Sequence, residues 1–439
     1  MKANLKQVRI LLCCTVVLLP AMRAAGQTSL TWDQVLDRFE QNNPTLQAGA
    51  LNIDESKAQE ITAFLRPNPQ FTVASDGSQI LPTGGRDPST GAANPWQPLK
   101  GTYQSGTFSY LHERRHKREL RLESARKGTT IAVSSQDDLR RNLIFNLHGA
   151  FVSVLQAKAV LQVAKDNLVY YDHVLDISRL RFKDGDIARI DLDRLELQRV
   201  QYESDLETSK VNLQSAKIAL LQLLNDRTPV DQFDVNGRFD FSDQLMSLDQ
   251  FRQLALDTRP DLRAAVQAVD KARTDHDLAV ANGSTDPTFS LWWTHNGSYN
   301  FSAGDVFGRD TLGISVSVPL RMFDRNQGEK LRTKLDITRN EKLRNAAEAQ
   351  VFSDVDNAYL NVNSNVILLQ PYKTKYLEMS VRVRETVLYA YQRGKASLLD
   401  FLNAENDYRT VQRNYVTLVG SYLTAVAQLN EAVGREVIP

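Results

Sequence analysis

The chain has 439 residues, more than one hydrophobic core ordinarily organises, and 53 lysines and arginines stand against 52 acidic residues. That balance argues against a nucleic-acid binder, which would carry a basic excess. With 42% hydrophobic and 24% charged residues, the composition is not that of a disordered chain.

At the N-terminus, Lys2, Lys6 and Arg9 precede the apolar run Ile10 to Leu19, and Ala24-Ala25-Gly26 ends before Gln27. This is the pattern of a secretory signal over residues 1–26. The apolar run is too short for a spanning helix, which needs about 20 residues. Its removal would take four positive charges and shift the formal net charge from +1 to −3. It would also remove both cysteines, Cys13 and Cys14, so no disulfide or thiolate metal site is expected in the mature chain. Leu11-Leu12-Cys13 lacks the small residue that normally precedes a lipidated cysteine, so lipid attachment at Cys14 is not expected. Past the signal no apolar run reaches 18 residues, so any membrane crossing would be made by strands.

The remainder reads as two copies of one unit. Trp32-Asp33-Gln34-Val35 to Ala48 matches Leu248-Asp249-Gln250-Phe251 to Ala264, and Asn68-Pro69-Gln70-Phe71 matches Asp286-Pro287-Thr288-Phe289. Arg181-Phe182-Lys183-Asp184-Gly185 matches Ala390-Tyr391-Gln392-Arg393-Gly394, and the match runs on through Asp191 and Asp400 to Glu196 and Glu405. The first repeat is expected over 27–235, a linker over 236–242 and the second repeat over 243–439.

Each copy opens with a helix that Thr31 or Ser247 can cap and that Pro44 or Pro260 interrupts. Two strands follow, at Gln70 to Ala74 and Gly106 to Leu111, then at Thr288 to Thr294 and Leu312 to Val318. Gly313-Ile314-Ser315-Val316-Ser317-Val318 alternates as a strand with one lipid face and one wet face must. The loops from Asp76 to Gly101 and from Asn296 to Arg309 are rich in turn formers. Trp96, Trp292 and Trp293 suit an interfacial aromatic belt or ordinary packing. Long helices are expected from Thr129 to Phe182 and from Gln327 to Gln392, the second kinked at Pro371.

The return helices carry heptads. Phe401, Tyr408, Tyr415, Tyr422 and Leu429 form an a row, with Ala404, Val411, Leu418, Ala425 and Ala432 as its d row. In the first copy the rows are Leu192, Arg199, Leu206, Leu213, Leu220 and Leu195, Tyr202, Ser209, Ala216, Leu223. A 3.5-residue period specifies left-handed packing on neighbouring helices. The fold class is thus mainly α with a small β part. Four strands cannot close a barrel, so strands that span a membrane would have to be shared among several chains.

This order of elements resembles the TolC family of outer-membrane efflux channels over essentially the whole mature chain. The resemblance is carried by the two aromatic-x-x-Gly turns, Phe182 to Gly185 and Tyr391 to Gly394, each followed by an aspartate six residues on. The run Val318-Pro319-Leu320 to Phe323-Asp324-Arg325-Asn326-Gln327-Gly328 is similar to the strand-to-helix junction of the heavy-metal-efflux branch. It implies a homotrimer, with four transmembrane β-strands per chain completing a 12-stranded barrel and coiled-coil helices forming a tunnel. It also implies an outer-membrane location in a Gram-negative type of cell. The expected partners are a periplasmic adaptor (membrane fusion) protein, an inner-membrane pump of the resistance-nodulation-division type and outer-membrane lipid, with no cofactor. The hairpin turns would form the periplasmic tip, with Gly185 and Gly394 at the adaptor contact and Asp191, Asp400, Tyr391 and Asn403 at the gate. Ala396 stands where the family has an arginine and Asn403 where it has a second aspartate, so closure would rest on other pairs, with Arg189 and Arg393 as candidates. The alternative is that Asp191 and Asp400 are solvated or helix-capping residues.

His112 and His116, four apart in a cluster of cations, are better read as part of a strand-to-helix junction than as a metal site. No nucleophile–base pair, phosphate-cradling loop or paired-cysteine motif points to an enzyme. The remaining alternative function is a soluble periplasmic coiled-coil structural or adaptor protein. An adaptor would need a lipoyl-like or barrel domain between its helices, and the sequence offers none.

Overall fold

A computed structural model describes residues 29–77, 85–93, 102–297 and 309–438. The signal segment, Trp96 and most of the two turn-rich loops lie outside these residues. Strand β1 (Ser29–Leu30) leads into α1 (Trp32–Asn42) and α2 (Pro44–Phe64). Thr31 and Gln34 close a capping box on α1, the Thr31 N–H donating to Gln34 Oε1 at 3.1 Å. Asn43 then caps α2, its Oδ1 accepting from the N–H groups of Thr45 and Leu46 at 3.0 and 3.1 Å, with Pro44 at the first helical position. The second copy repeats the device: Ser247 and Gln250 box α5 (Leu248–Thr258), and Pro260 starts α6 (Pro260–Asn282).

Strands β2 (Gln70–Asp76) and β3 (Tyr103–Leu111) lie in the first half. The two-residue β4 (Asp234–Val235) pairs in parallel with β1. Strands β5 (Thr288–Asn296) and β6 (Asp310–Ser317) complete one antiparallel sheet of order β2-β3-β5-β6. Its register produces rows of one character. Phe71, Phe108, Leu291 and Ile314 lie side by side, as do Tyr110, Phe289 and Val316. The alternate rows are Gln70, Ser109, Ser290, Ser315 and Ala74, Ser105, Thr294, Thr311. On the apolar face Ile314 is 80% and Val73 74% exposed, which a water-facing sheet would not tolerate over so many residues. Gly106 interrupts that face under the Phe71 ring, and Gly313 interrupts the other face under the Trp292 indole. Hence Trp292 covers the polar face while Trp293, 45% exposed, stands on the apolar one.

Helix α3 (Lys117–Lys183) starts twelve residues before the expected Thr129. The reason is local: the Lys117 ammonium is buried against Asp286 at 2.6 Å and the Ser284 carbonyl at 3.0 Å, tying the helix start to the strand β5 junction. Arg115 and His116, and at the matching place Asn326, adopt left-handed backbone angles that turn strand into helix. At about 1.5 Å per residue, the 67 residues of α3 reach about 100 Å. After α4 (Arg189–Leu223), the second copy supplies α7 (Gln327–Pro371), α8 (Leu377–Gln392) and α9 (Leu398–Val433). The bend expected at Pro371 is taken up by a π-helical turn over Tyr372–Tyr376.

Helix α2 packs on α3, α3 on α6 and α6 on α7, the same lateral order as the strands. None of the a and d positions named above is exposed. Arg199, a charged a position, reaches α3 through Asp172 at 2.5 Å. Buried residues fall into three clusters. One joins α1 to α3, α4 and β4 around Val35, Phe39, Leu147 and Leu220, and one joins α5 to α7 and α9 around Phe251, Val355 and Leu429. The third lies near the hairpin turns.

Candidate functional site

The two hairpin turns are built alike. In the first, the Gly185 N–H donates to the Phe182 carbonyl at 3.1 Å and the Asp186 N–H to the Arg181 carbonyl at 2.8 Å. In the second, Gly394 donates to Tyr391 at 3.0 Å and Lys395 to Ala390 at 2.8 Å. Both glycines have positive φ, +84° and +68°, which a side chain would strain. Both are exposed, with open space around the position a Cβ would take.

Asp400 is exposed and occupied locally. Its carboxylate accepts from the Ser397 N–H at 2.9 Å and the Ser397 hydroxyl at 2.7 Å, a capping box at the start of α9. Those bonds hold its carboxyl below the usual range. Within one chain, the helix-capping alternative therefore describes Asp400. Asp191 sits in the first turn of α4, where Ala188 offers no side-chain cap. The buried Tyr391 is brought to the same place. It stacks on Phe401 at 5.5 Å between centroids, and the Arg181 guanidinium lies 5.5 Å from its ring. Burial pushes the Tyr391 phenol up, Arg181 opposing and Asp191 adding to the shift. Asn403 is exposed on α9, three residues beyond Asp400.

Of the two substitute cations considered, Arg189 pairs with Asp193 at 2.8 Å and lies over Phe182. Arg393 lies over Tyr389 at 4.3 Å. Neither contact involves Asp191 or Asp400; the arginine at Tyr391 is Arg181. Arg181 lies just outside the aromatic-x-x-Gly motif, so the motif gives no sign of its role. Only the approach of α3 to α8 brings it to the Tyr391 ring.

Beside the turns, the third buried cluster joins the hairpins through Tyr171, Val174, Leu192, Tyr202, Leu398 and Phe401. Charged groups cross with it. Arg409 of α9 pairs with Asp205 of α4 and lies 4.3 Å from the Tyr202 ring. Arg384 of α8 is clasped between Tyr170 of α3 at 3.9 Å and Tyr408 of α9 at 3.8 Å. Sequence reasoning assigned the tyrosines of α9 to packing and missed these arginines, whose spacing on α8 and α9 follows no motif. Among the described residues no group of three His, Cys, Asp or Glu side chains is arranged to hold a metal ion, and His112 and His116 are exposed.

The family model described as "Outer membrane efflux protein" matches residues 251–435. The chain is 23% identical to the cobalt-zinc-cadmium resistance protein CzcC of Cupriavidus metallidurans, covering 94% of this chain and 91% of that one. It is 21% identical to the outer membrane protein TolC of Escherichia coli over 91% of this chain and 82% of that protein. Among solved structures, CusC superposes with a TM-score of 0.74 at 17% identity, covering 92% of each chain. VceC of Vibrio cholerae superposes with a TM-score of 0.70 at 17% identity, covering 92% of this chain and 96% of that one.

Proposed function

We propose that the chain is an outer membrane efflux protein, a reading supported by the family match over residues 251–435 and the likeness to CzcC and TolC, and that three copies form the outer-membrane duct of a tripartite efflux system. The observation that carries the reading is the sheet. One face is apolar and exposed, while the outer sides of the edge strands β2 and β6 have no strand partner among the described residues. Open edges in lipid leave backbone groups unsatisfied, so β6 of one copy pairs with β2 of the next until the barrel closes. The helices support the same closure. The outermost of the row expose apolar side chains, Ile61, Phe64 and Leu65 at the end of α2 and Leu331, Leu335 and Leu343 on α7. A ring built this way is heterologous and closes by rotation.

The hairpins then project into the periplasm, where Gly185 and Gly394 meet an adaptor that connects to an inner-membrane pump. Asp191, Tyr391 and Asp400, with Asn403 behind them, line the gate at that end. Three copies of Asp400 around one axis would favour cations. The likeness to a cobalt-zinc-cadmium resistance protein favours metal cargo, chosen by the pump rather than by the duct.

The test is to isolate the protein from fractionated cells and reconstitute it. The expected result is a membrane-bound trimer that conducts ions in planar bilayers. A monomer in the soluble periplasmic extract would refute the reading.

A further inference from the structure

Between the hairpins lies a carboxyl group that neither the turns nor the heptads explain. Glu405 of α9 is 2% exposed. From α4, the Tyr202 hydroxyl donates to its Oε2 at 3.4 Å. From α8, Arg384 brings its Nε to 3.9 Å from Oε1, beyond hydrogen-bond reach, and neither of those buried atoms has a hydrogen-bond partner among the described residues. Arg384 is committed elsewhere, to the faces of Tyr170 and Tyr408 and to Glu385 at 2.9 Å. Arg409, on α9 itself, is held by Asp205. From α3, Tyr171 stacks on Tyr202 at 4.4 Å, and the Tyr170 hydroxyl is buried with no hydrogen-bond partner among the described residues.

A carboxylate buried this way lacks the hydrogen-bonded cation that would offset its lost hydration, so this packing favours the protonated form. We propose that Glu405 is a proton-held latch: its neutral carboxyl stabilises the hairpin packing seen here, and loss of the proton drives α8 and α9 away from α3 and α4. Burial is the largest influence on Glu405 and pushes its carboxyl up to about 7, with Arg384 and Tyr202 opposing. The neighbouring phenols of Tyr170, Tyr171 and Tyr202 are pushed up as well and stay neutral, and Arg384 stays cationic.

The sign follows from linkage. A solvated glutamate titrates near 4.3, so the packed state binds the proton more tightly than the unpacked one. Low pH therefore holds the packing, and the hold is lost as pH rises from about 5 through 7. The consequence for conduction rests on the reading of the hairpins as the channel's periplasmic tip.

The test uses the full-length trimer at pH 6 and pH 8. It reads hydrogen exchange of amides 377–410, normalised to intrinsic rates, and conductance in planar bilayers. Wild type should show faster exchange and higher conductance at pH 8. Glu405→Gln, neutral at both values, should remain protected and closed at both. Tyr202→Phe removes a donor to the carboxylate and should move the midpoint to higher pH. A wild-type exchange step that Glu405→Gln retains, or no step in wild type, would overturn the latch. An exchange step confined to wild type with no conductance would keep the latch and sink the channel reading.

Discussion

Arg384 offers the sharpest test of what holds the hairpins together. Its guanidinium lies between two rings on different helices, 3.9 Å from Tyr170 of α3 and 3.8 Å from Tyr408 of α9. Only the first contact crosses from one hairpin to the other. A desolvated cation–π contact is worth about 2 kcal/mol, so Arg384→Ala should weaken the crossing by about that amount. At about 1.4 kcal/mol per tenfold, this shifts a closed–open equilibrium by roughly 30-fold. Arg384→Lys keeps the charge but loses the planar stacking surface, so its effect should fall between those of wild type and alanine. Single-channel recording at pH 6, where the proposed latch holds Glu405 protonated, reads the open probability directly. The expected order is alanine above lysine above wild type. Equal open probabilities in all three trimers would refute the assignment of this clasp to closure.

Chemical denaturation should show stability falling as pH rises from 5 to 8, by about 3 kcal/mol for the shift at Glu405 alone, and Glu405→Gln should remove that component. Ser397→Ala should lose about 1 kcal/mol of helix capping, measured by thermal unfolding, and Asp400→Ala should also lower the melting temperature by opening the same capping box. Only the aspartate substitution should raise resting conductance and reduce cation preference; equal effects from both would leave Asp400 a cap alone. Gly394→Ala places a side chain at φ +68° and should cost about 1 kcal/mol without steric contact, read as a lower melting temperature. Leu335→Glu on α7 should yield monomers by size exclusion, because its exposed side chain lies on the open end of the helix row.

The parts of the fold legible in the sequence are those fixed by short-range patterns. Capping residues with a proline restart mark α1, α2, α5 and α6. Alternation marks β5 and β6, and the heptads mark the buried faces of α4 and α9. The start of α3 is not legible because it depends on Lys117 finding Asp286, 169 residues away, and a basic run carries no sign of a distant carboxylate. The site divides in the same way. The turn glycines and Tyr391 follow from a repeated motif. Arg181, Arg384 and Glu405 act between helices that meet only when the two copies pack, and a motif within either copy cannot specify that contact. The duplication explains why. Glu196 is the counterpart of Glu405 and lies exposed enough to pair with Arg179 at 3.2 Å, whereas Glu405 is buried. The same residue at the same place in each hairpin thus has a solvated role in one copy and an enclosed role in the other. On the latch proposed above, that asymmetry confines the proton-sensitive contact to the hairpin of the second copy.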